Sequence, residues 1–206
     1  MVMFIAFLLW GCSDIVLTEQ SDSAPVAADA SAADEWGDSP QPDCTRGFAG
    51  HYANLQENHP DVEADPDAPV QNDPHLLDWW DESRMVFERY DATLDFGEGW
   101  WPVDEGFAGD PDYFAVRWTA WLYVYESGVH EFQLAASDDF WFLLKDSEWE
   151  TRHVQAGIHS YDSQTFALEL QMGVYPVDIR YAHRNGPSGL SFRTLGDGLR
   201  FCFPGE

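Results

Sequence analysis

Apolar and polar side chains alternate through residues 114–136, the strongest regular signal in the chain. Phe114, Val116, Trp118, Ala120, Leu122 and Val124 share one face of an extended run. Phe132, Leu134 and Ala136 share one face of the next, with Glu131 and Gln133 opposite. A period of two belongs to half-buried β-strands, and Ser127-Gly128 between the runs accepts turn conformations. The pattern predicts an antiparallel hairpin that delivers Asp138 and Asp139 to a sheet edge or loop. Two adjacent carboxylates there repel unless a cation neutralises them. Further strands are predicted over 85–87, 165–171 (Phe166, Leu168, Leu170 inward), 175–181 (Tyr175, Val177, Ile179, Tyr181 inward) and 190–193. Pro176 lies near the start of its strand, where a missing N–H is tolerated. Asp73-Pro74 before HLLDWWDES predicts one short helix, with Asp73 as N-cap and Pro74 in the first turn. Leu76, Trp79 and Trp80 would then pack inward at helical spacing.

The pattern changes before residue 44. MVMFIAFLLWGC is an apolar run too short to span a bilayer. Its end, Leu9-Trp10-Gly11-Cys12, resembles a bacterial lipobox, which makes residues 1–11 a lipoprotein-type signal peptide and Cys12 the lipidated N-terminus. A non-lipidated signal peptide is the plainer alternative. Residues 12–43 are rich in Ala, Ser, Asp and Pro and read as a disordered acidic tether. Residues 44–206 then form a single domain. Export implies an oxidising compartment, so the two remaining cysteines, Cys44 and Cys202, are expected to form a disulfide across the ends of that domain. The alternative leaves both free and buried.

Charge narrows the partners. The 206 residues carry 37 acids against 10 bases, for a formal −27, and Lys145 is the only lysine. Residues 13–43 hold eight of the acids and no base, so the domain itself is strongly negative. Such a surface repels phosphate backbones and anionic lipid. No nucleic-acid partner is expected, and contact with a membrane only through the N-terminal lipid. The charge suits divalent-cation binding, or simply solubility outside the cell.

The string FAVRWTAWL…SGVHEFQLAASDD resembles the core of the PA14 domain, a β-sandwich of bacterial toxins, glycosidases and yeast adhesins. HPDVEAD (59–65), WWPVDEGFAG (100–109), DDFWFLLKD (138–146) and VYPVDIRYAHRNGPSGLSFRTL (174–195) resemble its fibro-slime branch in the family's order. The resemblance implies an all-β antiparallel sandwich. In the family's lectin-like members, two consecutive aspartates joined by a cis peptide grip calcium, which holds sugar hydroxyls. An asparagine on a later loop completes that site. Asp138 and Asp139 match the aspartates, and Asn185 falls where the loop ligand would lie. Gly186 and Gly189 would let that loop's carbonyls turn inward. The plain alternative is that the aspartates cap a solvated loop.

Most of the 10 Trp, 8 Tyr and 14 Phe are expected in the core, since aromatics favour strands. Trp149, Tyr161 and Trp121 are the candidates for stacking on sugar rings, with Tyr123 also alternating outward. His130, His153 and His159 match no zinc spacing and are read as surface residues. There is no Gly-x-Ser-x-Gly and no Cys-His arrangement for nucleophilic catalysis. The expectation is a non-catalytic, monomeric carbohydrate-binding adhesin or lectin-like lipoprotein, calcium-dependent, on the bacterial outer membrane or cell surface. The rivals are a structural or protein-interaction module of the envelope or matrix, and a polysaccharide-active enzyme or its accessory domain.

Overall fold

A computed structural model describes residues 44–55, 72–102, 106, 113–146, 148–184 and 186–204. The signal-like segment with Cys12, the acidic tether and Asn185 lie outside the described residues. The strands are β1 (Phe48–Asn54), β2 (Met85–Asp91), β3 (Leu94–Glu98), β4 (Phe114–Val124), β5 (Gly128–Ala136) and β6 (Asp139–Lys145). They continue with β7 (Trp149–Gln155), β8 (Asp162–Leu170), β9 (Gly173–His183), β10 (Gly189–Leu195) and β11 (Leu199–Cys202). They form two antiparallel sheets. The first runs β2-β1-β4-β9-β6-β7 and the second β3-β10-β5-β8. β11 follows β1 along the same edge of β4, opposite Trp121 to Val124. The sandwich expected from the strand pattern and the resemblance is the observed fold.

The inward sets on β4 and β5 meet across one core with Phe140, Phe142, Val177, Ile179, Tyr181 and Phe192. They do not form a hairpin. β4 belongs to the first sheet and β5 to the second, so the Ser127-Gly128 turn carries the chain from one layer to the other. Alternation records which face is buried. Two strands opposed across a core show the same alternation as two side by side.

β6 is buried on both faces. Phe140, Phe142 and Leu144 enter the main core, while Trp141 and Leu143 join a second cluster with Leu55, Trp79, Ala115 and Ala182. That cluster exists because residues 72–84 lie over the outer face of the first sheet. The expected helix there is a single 3-10 turn, Pro74–Leu76, followed by another at Glu82–Arg84. Asp73 does cap the first, accepting from the His75 N–H at 2.9 Å. Three residues are too few to set Leu76 on one face with the tryptophans: Leu76 is 71% exposed, whereas Trp79 is buried and Trp80 half-buried.

Charge fastens this segment. Asp178, buried on β9, accepts from Arg117 Nε at 2.9 Å and from Arg180 Nε at 3.1 Å. Arg180 also donates to the Pro74 carbonyl at 3.0 Å and lies 5.1 Å from the Trp80 ring centre. Trp80 donates its indole N–H to the Val116 carbonyl at 3.0 Å. At the other end of the domain, the expected Cys44–Cys202 disulfide is formed.

Candidate functional site

β5 ends at Ala136 in the second sheet and β6 begins at Asp139 in the first, so Ser137 and Asp138 make the crossing. Asp138 takes φ +61°, the only non-glycine with positive φ among the described residues. Aspartate tolerates that region better than most side chains. The Asp138–Asp139 bond, expected to be cis in a calcium-loaded site, is trans. The pair sits at the connection between the two strands, as expected of a sheet edge or loop, but neither carboxylate is solvated. Asp138 is 0% and Asp139 2% exposed, because β6 lies between β9 and β7 rather than at the rim of its sheet.

Carboxylates so buried must be compensated. Asp138 Oδ2 accepts from the Arg184 backbone N–H at 2.8 Å, and Oδ1 from the His159 N–H at 3.3 Å. His183 Nδ1 lies 3.0 Å from Oδ2, at ion-pair distance but outside hydrogen-bond alignment. Its ring is fully buried, between Trp101 and Phe114. Asp139 Oδ1 accepts from the Gly157 N–H at 2.6 Å, and Oδ2 from Arg184 Nε at 2.6 Å. Burial pushes the Asp139 carboxyl above its ordinary range, and Arg184 and the Gly157 N–H only partly oppose this. The Arg184 guanidinium also lies 5.1 Å from the Trp79 ring centre. Three connections thus converge: the crossing at 137–138, the loop after β7, and the chain leaving β9.

Beneath them, Ser137 N–H donates to the Gly189 carbonyl at 3.0 Å, and Gly189 N–H to the Tyr181 hydroxyl at 3.2 Å. Burial raises the Tyr181 pKa, so that hydroxyl stays protonated. Gly189 admits no side chain, since a Cβ there would stand 2.7 Å from the Tyr161 ring. Beside the aspartates opens a groove of about 470 Å³ lined by Asn72, Val154, Gln155, Ala156, His159, Asp162 and Gln164. Gln155 Oε1 and His159 Nε2 are buried at its wall without a hydrogen-bond partner among the described residues. Gly157 and His159, whose amides hold the aspartates, belong to the same loop.

Tyr161 is brought to this region, its ring against Gly189 and its hydroxyl donating to Ser191 at 3.1 Å. Trp149 and Trp121 are not. Trp149 stands opposite Lys145, at the far end of β6 from Asp139. Six residues of strand separate those ends, about 20 Å at ~3.3 Å per residue. Trp121 stands opposite Pro176 and Cys202, remote from the Phe114–His183 end of β4. His130, His153 and His159 are half-buried at the surface. His153 stacks on Phe166 at 3.8 Å, and burial lowers its pKa. Among the described residues no group of three or more His, Cys, Asp or Glu could hold a metal.

Two adjacent buried carboxylates match a divalent ion in charge and donor type, but each of their oxygens already faces a nitrogen. Calcium takes six to eight oxygens, so an ion here would need ligands beyond the two carboxylates and would have to move Arg184 off Asp139. Arg184 and His183 were absent from the expected site. The only sequence signal was their place, immediately before Asn185 at the end of an apolar strand.

The sequence profile of the PA14 domain matches residues 61–195, more than half of the chain. The chain belongs to the PA14 domain family. Solved structures share the fold at low identity. The PA14 domain of the antifreeze protein MpAFP is 14% identical with a TM-score of 0.54, over 81% of this chain and 95% of that one. The PA14 sugar-binding domain of an RTX adhesin is 15% identical with a TM-score of 0.54, over 76% and 94%. The epithelial adhesin 9 A domain of Candida glabrata, in complex with Galβ1-4GlcNAc, is 13% identical with a TM-score of 0.54, over 80% and 92%. No curated protein matches the sequence.

Proposed function

We propose that this PA14 domain is a non-catalytic carbohydrate-binding module of an exported, lipid-anchored surface protein of the fibro-slime branch, acting as a monomer. The observation that carries the reading is the groove beside Asp138 and Asp139. Its wall offers the amides of Asn72, Gln155 and Gln164, the His159 ring and the Asp162 carboxylate. Amides both donate and accept hydrogen bonds, as sugar hydroxyls do, and Gln155 Oε1 and His159 Nε2 lack partners. A neutral saccharide suits a chain of −27 better than an acidic one. The sugar-binding domain and the sugar complex of the same fold support the assignment by analogy. Under the same reading Asp138, Asp139 and Asn185 hold calcium and Tyr161 borders the sugar. Calcium would supply a positive point for hydroxyl oxygens, while the chain's own residues orient the ring.

A glycan array probed with the whole chain tests the site. Wild type is expected to retain neutral glycans, and Gln155→Ala with Gln164→Ala to lose at least tenfold in affinity with an unchanged melting curve. Calcium dependence adds loss of signal in a chelator. Glycan binding equal in the double variant would move the sugar elsewhere. No binding to any glycan would favour a structural module built on the buried ion pairs. The anchor is tested separately: a lipid precursor fed to the producing cells should label wild type and leave Cys12→Ser unlabelled. Among the described residues no helix is long and apolar enough to cross a membrane. Label on both proteins, or on neither, would remove Cys12 from the assignment.

A further inference from the structure

We infer that Arg184 is a resident counter-ion of the aspartate pair, occupying the place of a divalent cation, so that metal entry and Arg184 release are a single linked event. The inference rests on the reading of Asp138 and Asp139 as the ligand-facing carboxylates. Two neighbouring acids at 0% and 2% exposure need positive charge wherever it comes from. The fold supplies it from within, Arg184 Nε lying 2.6 Å from Asp139 Oδ2.

Arg184 reaches both acids at once. Its side chain holds Asp139, and its backbone N–H holds Asp138 at 2.8 Å. A divalent ion taking Asp139 Oδ2 on that side would meet a guanidinium of like charge in contact with the same oxygen. Arg184 must therefore leave, and the geometry gives it a second seat. Its guanidinium already lies over the Trp79 ring, on the segment that covers the outer face of the sheet. An arginine turned from Asp139 toward Trp79 keeps a partner for its charge.

The device sets an affinity threshold. An ion must replace one internal positive charge before its own binding registers, so the wild-type domain answers calcium only weakly, and magnesium, which gives up water reluctantly, less still. Removing the arginine charge opens the site.

Calorimetric titration of the full chain with calcium chloride tests this on wild type, Arg184→Gln, Arg184→Lys and Asp139→Asn. Arg184→Gln is expected to bind calcium at least tenfold more tightly than wild type, with Arg184→Lys staying near wild type and Asp139→Asn losing the response. Equal, tight binding by wild type and Arg184→Gln would overturn the inference while leaving calcium at the aspartates intact. Binding by none of the four would overturn both. Should Arg184→Gln fail to fold, the Arg184 Nε–H resonance of wild type decides. A shift that saturates with calcium supports linkage; calcium binding that leaves the resonance unmoved refutes it.

Discussion

Asp91→Ala should destabilise the domain by about 3–5 kcal/mol, the cost of stripping one partner from a buried charge network. Asp91 ends β2 at 5% exposure, and three donors from different strands converge on it. Tyr52 on β1 donates its hydroxyl at 2.7 Å, Trp118 on β4 its indole N–H at 2.8 Å, and Arg89 on β2 its Nε at 2.6 Å. Burial and the Asp91 charge raise the Tyr52 pKa, so the hydroxyl remains a donor at every working pH. Alanine would leave two neutral donors and a guanidinium facing apolar surroundings, with Trp100 and Phe96 close by. Asp91→Asn keeps the shape and one acceptor, and should lose less. Urea unfolding measures both, and a loss below about 1 kcal/mol for alanine would show that water replaces the carboxylate.

Reducing or replacing the Cys44–Cys202 bond should cost about 2–5 kcal/mol, since it closes almost the whole domain into one loop. The bridge spans 158 residues. It also secures a weak place. β11 is only four residues long and pairs with β4 alone, beside an isolated Arg46–Cys202 bridge and a Phe203 N–H to Thr45 carbonyl bond of 2.8 Å. Paired Cys44→Ser and Cys202→Ser substitutions should lower the denaturation midpoint and raise the slope, as the freed unfolded chain exposes more surface. An unchanged midpoint would mean that β11 is held by packing.

Much of the fold was legible because strand alternation is a local property. The inward residues of β4 and β5 are buried as their spacing predicted, as are Val177, Ile179 and Tyr181 of β9, with Tyr175 half-buried near that strand's start. The shorter strands were harder to read: β1 and β3 interrupt their apolar residues with glycine, and β7 is polar at five of its seven positions and lies at an edge. The helix reading failed for a related reason. Trp79 is buried and Trp80 half-buried against the sheet beneath them, and a segment with two 3-10 turns serves as well as a helix when the tertiary contact decides.

The candidate site divides the same way. Adjacent aspartates at the end of an apolar strand stand out in any sequence, and their neighbours in the chain are known at once. Their partners come from other connections: Gly157 and His159 from 18 and 21 residues on, Arg184 from 45. No periodicity joins such positions. The aromatic candidates show the converse error, for Trp149 is ten residues from Asp139 in sequence yet opens the neighbouring strand β7, opposite Lys145 at the far end of β6.

By itself the sequence determined which faces of the main strands are buried and that the domain is all-β, and it pointed to the pairing of Cys44 with Cys202 and to two adjacent acids that repel unless a cation neutralises them. It did so because alternation, composition and like-charge repulsion act between near neighbours. Only the tertiary structure decided which sheet each strand joins and that the acids are buried rather than solvated. It alone set Arg184 as the charge facing them, because those outcomes depend on which distant segments pack together. A carboxylate is compensated by whatever cation the fold brings within about 3 Å, and chain order carries no record of that distance.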